Sequence, residues 1–319
     1  MPSARSLPDD DVLGPPYTSQ TLSLRADDEG EVVATLVHRP TARTKRRAVL
    51  HVHGFADYFF QTAAADFWVE RGYDFYALDL RKYGRSLRPH QTPNYVADLG
   101  TYYEELDLAW SRVHEHHDHV VVSAHSTGGL TAPLWLHDRG YRPAGVFLNA
   151  PWIDMQGDVV TRLLAMPVID RIGRVQPMRE VPRDRGGGYA RSISDAFGGE
   201  WPINLDWRPI NSWPVYAGWI RAIRHGQARV SHGLEVQAPL LMVSSTRTGS
   251  PTSVDDPDWR STDVVLDVER LRRKAPRLSR HVTVAQVEGA MHDVTLSPEP
   301  ARSKVFDELD RWLSAYVER

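Results

Sequence analysis

The chain has 319 residues, 41% of them apolar, with 38 Lys+Arg against 41 Asp+Glu for a formal charge of −3. This composition excludes a disordered or collagen-like chain, and near-neutrality gives no long-range pull toward nucleic acid, so no nucleic-acid partner is expected. With no cysteine, disulfides, thiolate nucleophiles and zinc-thiolate or iron–sulfur sites are excluded, and no metal is expected.

Residues 1–16, rich in Pro, Asp and Ser, read as a flexible arm without the apolar stretch of a signal peptide. No apolar run of roughly 18 residues follows, so a cytoplasmic location is expected. The alternating segments Tyr17–Arg25 and Glu31–Arg39 flank the turn-rich Asp27–Gly30 and predict a hairpin. Ala48–His53 reads as a buried strand ending at Gly54, Thr62–Arg71 as a helix and Asp74–Leu80 as a strand. Over Asp98–His117, Leu99, Tyr102, Tyr103, Leu106, Ala109, Trp110 and Val113 share one helical stripe, with Thr101 and Glu104 spaced as a capping box. Val120–Ala124 predicts a strand, Leu130–Asp138 a helix and Gly145–Asn149 another strand. Such alternation implies an α/β core, a mainly parallel sheet with helices on both faces.

The pattern breaks at Pro151. Residues 151–235 are irregular and Pro-rich, and hold five of the 10 tryptophans: Trp152, Trp201, Trp207, Trp213 and Trp219. Strand Pro239–Val243, helix Val264–Lys274, strand Val282–Val287 and helix Glu299–Val317 then resume the alternation. The core is therefore expected over residues 17–150 and 236–319, interrupted by an insertion over 151–235.

Ala124-His125-Ser126-Thr127-Gly128-Gly129 sits between a predicted strand and helix, the context of a nucleophile elbow. A serine at the tip of so tight a turn needs small neighbours, which Ala124 and Gly128 supply. A serine hydroxyl needs a base, itself oriented by a carboxylate. His292, on the loop leaving the last strand, is the base expected among 14 histidines. The acid is expected soon after strand 239–243, but a segment with 8 Ser/Thr in 18 residues intervenes, and Asp263 is the first choice beyond it. Asp255, Asp256, Asp258 and Asp267 compete, Asp154 stands further off, and Asp263 as a plain helix cap is the bland reading. After strand 48–53, the main-chain N–H of Phe55 is expected to face a developing oxyanion together with that of Thr127 at a helix start. His53, Tyr58, His125 and Trp152 are expected against the substrate.

These residues resemble the α/β-hydrolase fold, in the serine-hydrolase branch of monoacylglycerol lipases, lysophospholipases and S33-type aminopeptidases. The resemblance rests on His53-Gly54, on Leu78-Asp79-Leu80-Arg81-Lys82-Tyr83-Gly84-Arg85-Ser86 (similar to D-x-R-G-x-G-x-S), on His125-Ser126-Thr127-Gly128-Gly129 and on His292. It departs at Ala124, at Lys82 where glycine is usual, and in the long segment before Asp263. It implies hydrolysis of small or lipid-like acyl esters through an acyl-enzyme at Ser126, without a cofactor, beneath a mobile, largely helical cap formed by 151–235. The alternatives it leaves are an aminopeptidase, a lactonase or thioesterase, an acyltransferase, and a ligand receptor on the same fold. An aminopeptidase would need acidic residues for the substrate amine, for which Asp154, Asp158, Asp170 and Glu180 are available. The apolar stretch 159–175 suits either a lid helix or transient contact with a membrane surface.

Overall fold

Runs of β-formers place most of the strands: β1 (Asp9–Asp10), β2 (Thr18–Ser23), β3 (Val33–Arg39), β4 (Arg47–Val52), β5 (Asp74–Asp79), β6 (His119–His125), β7 (Gly145–Asn149), β8 (Leu240–Ser245) and β9 (Val282–Val287). The computed structural model describes residues 9–42, 46–155, 167–168, 170–182 and 187–318. Its sheet has the order β1-β2-β3-β5-β4-β6-β7-β8-β9. It is antiparallel through the β3–β5 pair and parallel from β5 onward. The β2–β3 hairpin pairs Thr18 with His38 through Ser23 with Val33, and Asp27 and Gly30 close its turn.

Alternate side chains of each parallel strand enter opposite cores, which is why these strands read as continuous apolar runs. Val120, Val122, Leu240 and Met242 join Leu106 and Trp110 of α2 (Tyr103–His114) and Leu134 of α3 (Gly128–Arg139) on one face. Val121, Leu241 and Val243 face the other way, onto Trp68 of α1 (Thr62–Glu70) and Val305, Leu309 and Trp312 of α7 (Ala301–Trp312). Between β7 and β8 lie residues 150–239, which include α4 (Gly188–Ile193) and α5 (Ala217–His232). α6 (Val268–Lys274) follows β8. Among the described residues no helix is long and apolar enough to cross a membrane.

Several local expectations are corrected. The second half of the supposed flexible arm is ordered: Asp9–Asp10 pairs with Thr18–Ser19, and Asp11 is buried against the Arg85 guanidinium. The Thr101–Glu104 capping box does not form, because Arg81 draws Glu104 away at 2.9 Å while Asp98 accepts the Gly100 N–H at 2.7 Å and starts a 3-10 turn. The insertion is less irregular than its prolines suggest. α5 carries Trp219, Ala222, Ile223 and Val230 on a buried stripe, and Gly226 lets it approach Leu130 and Leu134 of α3. The helix expected from Val264 begins only at Val268, where the Asp267 carboxylate accepts the Arg270 N–H at 3.1 Å. Asp158, residues 1–8 and most of the 159–175 stretch lie outside the described residues.

Candidate active site

In a sheet whose neighbouring strands run parallel, the crevice beyond their carboxyl ends is where side chains from separate loops can meet. β6 ends at His125, and Ser126 takes the next position with φ +50°, a left-handed conformation rare for a residue with a side chain. The turn is held from both sides: the Ser126 N–H donates to the Asn149 carbonyl at 3.0 Å, and its carbonyl accepts the Trp152 N–H at 2.8 Å. Gly128 is required by space, since a β-carbon there would lie 2.6 Å from the Val52 carbonyl oxygen and closer still to that of His53. Gly54 is also close to Ser126, though less tightly, its would-be β-carbon 3.1 Å from that of Ser126.

His292 leaves β9 through a turn at Gly289, and its Nε2 lies 3.0 Å from Ser126 Oγ. Its Nδ1 lies 3.0 Å from Asp263 Oδ2. The second oxygen of Asp263 accepts the N–H groups of Val265 and Leu266, both at 2.8 Å, so the carboxylate is fixed and fully buried. The partners settle the tautomer: with a carboxylate at Nδ1, the proton sits there and Nε2 presents its lone pair to the hydroxyl. Asp263 comes late in sequence but not in space. Thr248 and Asp263 form a bridge, with Gly249 N–H to Asp263 carbonyl at 2.9 Å and Asp263 N–H to Arg247 carbonyl at 3.2 Å. Residues 249–262 are thus an excursion whose two ends meet just beyond β8. The helix-cap role belongs to Asp267, Asp255 is exposed, Asp256 accepts from Thr252, Asp258 binds Arg247, and Asp154 faces Arg270 and Lys274.

The loop after β4 is rigidly held. Ala56 N–H donates to Asn94 Oδ1 at 3.1 Å, and Phe59 N–H to Asp79 Oδ1 at 2.8 Å. Asp79 also receives Arg85, while Arg81 grips Glu105, so the charged part of the 78–86 stretch is a buried brace for this loop. Lys82 adopts φ +64° where glycine would be strain-free, and its ammonium is secured by Asp27 and Glu29 of the hairpin turn. Phe55 follows Gly54 and packs its ring on Trp219, centroids 4.4 Å apart; Thr127 stands at the N-terminus of α3.

Three residues expected against the substrate are held by partners within the protein. His53 is fully buried, its Nε2 accepting the Leu80 N–H at 3.0 Å and its Nδ1 donating to the Gly54 carbonyl at 2.8 Å, because its ring turns inward where β4 ends. Tyr58 is buried, and its hydroxyl accepts the Asn204 N–H at 2.6 Å, tying the insertion to the core. His125 points beneath the elbow, donating from Nδ1 to the Asn149 carbonyl at 3.1 Å. Trp152 is half-buried beside Trp219, ring centroids 5.8 Å apart, in the aromatic group that includes Phe55.

A second buried polar layer, not apparent from spacing, backs the His292 loop. Asp57, His125 and Asp293 have ligand-type atoms within 4.8 Å of one another. Arg208 of the insertion meets Asp57 at 2.7 Å, and Asp293 Oδ1 accepts from Asn149 Nδ2 at 2.6 Å and from Thr295 N and Oγ1 at 3.0 and 2.7 Å. Burial pushes the Asp293 carboxyl up, but neighbouring His125 and the bonds from Thr295 and Asn149 hold it well below the ordinary carboxylate range. Burial lowers His125, and lowers His51 to about 4. Neither the 188–208 segment's Arg208 nor Tyr189, whose hydroxyl accepts the Asp293 N–H at 2.8 Å and whose ring edge meets His292, carries a recognisable motif.

The family model for serine aminopeptidase, S33 matches residues 43–247, about two thirds of the chain, a span that contains Ser126 and ends before Asp263 and His292. No curated protein matches the sequence. Among solved structures, a soluble variant of monoglyceride lipase from Saccharomyces cerevisiae in complex with a substrate analog superposes with a TM-score of 0.64 at 16% identity, covering 93% of this chain and 96% of that one. The monoacylglycerol lipase of Paleococcus ferrophilus gives 0.64 at 17% identity, over 88% of this chain and 99% of that one. A thermophilic esterase from Thermogutta terrifontis gives 0.59 at 16%, over 93% and 99%. Fold and family model agree: the chain has the α/β-hydrolase fold, which it shares with the monoacylglycerol lipases, and it belongs to the serine aminopeptidase S33 family.

Proposed function

We propose that the protein hydrolyses carboxylic esters through an acyl-enzyme. The observation that carries this reading is the continuous relay from Asp263 Oδ2 through the His292 ring to Ser126 Oγ, each link 3.0 Å. Ser126 Oγ attacks the acyl carbon while His292 Nε2 takes its proton, and the carbonyl electron pair moves onto oxygen, received by the N–H groups of Phe55 and Thr127. Collapse of the tetrahedral adduct breaks the carbon–alkoxy bond, and His292 returns the proton to the departing alcohol. Water, losing a proton to His292, then attacks the acyl-enzyme; the acid departs and Ser126 regains its proton. Asp263 holds the imidazole and stabilises the imidazolium in both halves.

The insertion acts as the cap of this site, a role supported by Tyr189 against His292 and Trp219 against Phe55. An aminopeptidase is less well supported. Of the acidic residues that could hold a substrate amine, Asp154 faces Arg270 and Lys274, and Asp170 is engaged by Arg221 and His225. The decisive experiment pairs Ser126→Ala with a fluorophosphonate probe and p-nitrophenyl esters of increasing chain length. Wild type should be labelled and should turn over the esters, and the variant should do neither while melting at a similar temperature. Ester hydrolysis that survives the substitution would dispose of the mechanism, and a wild-type serine inert to the probe would favour a ligand receptor.

A further inference from the structure

We infer that Asn149 is the positioning residue that sets the reach between nucleophile and base; the inference rests on the hydrolase reading above. Ser126 and His292 belong to separate loops, and their 3.0 Å approach needs something to register one loop against the other. Asn149, at the carboxyl end of β7 and buried, touches both. Its carbonyl accepts the Ser126 N–H at 3.0 Å and His125 Nδ1–H at 3.1 Å, which fixes the elbow. Its side chain spans to the other loop: Nδ2 donates to Asp293 Oδ1 at 2.6 Å and Oδ1 accepts the Val294 N–H at 3.0 Å, gripping the two residues that follow His292.

The chemistry of the partners dictates the amide. Asp293 Oδ1 also receives Thr295 N and Oγ1, so the group facing it must donate, and the Val294 N–H requires an acceptor. Asparagine is the side chain of that length offering one of each. Asp263 restrains His292 from its Nδ1 side but leaves its distance from the elbow to be set elsewhere. A misplacement of about 1 Å at a reacting pair costs roughly 100-fold in rate, so a residue that touches neither substrate nor reacting atom can govern turnover.

The test measures kcat and KM for p-nitrophenyl butyrate, and the fluorophosphonate labelling rate, in Asn149→Ala and Asn149→Asp. Asn149→Ala should lower kcat and the labelling rate about 100-fold, with KM within about twofold of wild type. Asn149→Asp keeps the acceptor for Val294 but sets a second carboxyl against Asp293, so the pair must share a proton to stay bonded. The titratable and charged groups facing Asp293 are His125 and His51 of the sheet, Asp57 of the loop after β4, and Tyr189 and Arg208 of the insertion. The shared proton leaves as pH rises, so the ratio of Asn149→Asp to wild-type kcat should fall about tenfold or more from pH 6 to pH 9. A purely structural role would lower the melting temperature without tilting that ratio. Asn149→Ala turning over within about threefold of wild type, or a flat ratio for Asn149→Asp, overturns the inference; should the alanine variant fail to fold, the aspartate ratio decides. Wild type that neither reacts with the probe nor cleaves esters is a separate result, which sinks the hydrolase reading before any Asn149 variant is made.

Discussion

Replacing Asp263 by asparagine keeps the shape of the side chain and should cost about four orders of magnitude in kcat. The size follows from its three hydrogen bonds. Oδ1 accepts from Val265 and Leu266 at 2.8 Å each, so the carboxamide oxygen must stay there and the NH2 group must face His292 Nδ1. A neutral imidazole then accepts at Nδ1 and carries its proton on Nε2, against Ser126 Oγ at 3.0 Å, where it can no longer take the serine proton. Flipping the amide restores the tautomer but leaves two buried N–H groups unsatisfied, at about 1–3 kcal/mol each. Adding the lost stabilisation of the imidazolium brings the deficit to roughly 5–6 kcal/mol, or about 10⁴ in rate. Steady-state hydrolysis of p-nitrophenyl butyrate would measure it, with thermal unfolding as the check on fold and Asp255→Asn, at an exposed position of the excursion, as the control. If Asp263→Asn retained more than about a tenth of wild-type kcat, or if Asp255→Asn fell as far, the tautomer argument would be refuted.

Three more consequences can be measured directly. Arg208→Met strands the buried Asp57 carboxylate and should destabilise the fold by about 3–5 kcal/mol in urea denaturation, largely recovered by adding Asp57→Asn; a loss under about 1 kcal/mol contradicts this. Gly128→Ala forces a methyl onto the Val52 and His53 carbonyls and should cost about 1–3 kcal/mol together with most of the proposed ester hydrolysis, whereas an unchanged melting curve would show that the elbow can widen. His51 is buried and its pKa is lowered by that burial to about 4, so between its unfolded value near 6.5 and about 4 the unfolded chain binds the extra proton. Stability should therefore fall as the solution is acidified through that window, with a slope of up to about 1.4 kcal/mol per pH unit from this group, and His51→Gln should flatten it; equal slopes in the two proteins would count against the assignment.

Much of this fold is legible in the chain because parallel strands buried on both faces must be continuously apolar and short. Val120–Ala124 and Leu240–Val243 announce themselves for that reason. Ser126 is readable because it follows such a strand directly, and His292 because it lies on the loop that leaves the last strand, β9, at the sheet edge. Asp263 is harder, since linear distance hides the pairing of Thr248 with Asp263 that folds residues 249–262 out of the way. The roles of His53, Tyr58 and His125 could not be read from position alone. Which way a ring turns at a strand end depends on partners such as the Leu80 amide, Asn204 and the Asn149 carbonyl, which are remote in sequence. Arg208 and Asp57 fall in the same class: a buried ion pair between distant segments leaves no periodic trace.

The fastening of residues 189–208 to the core bears on how such proteins can be recombined. Arg208 sits on Asp57, Asn204 on Tyr58, Trp201 on the Leu296 carbonyl and Tyr189 on the Asp293 amide. A chimera that received this segment from a relative would carry half of each contact and strand the Asp57 carboxylate, and one that donated it would bury the Arg208 guanidinium with no counter-ion. Exchange of substrate preference by grafting would therefore succeed only if Asp57, Tyr58 and the 293–296 turn travelled with the graft, which makes the loop after β4 and the turn after His292 part of the same inheritable unit as the insertion.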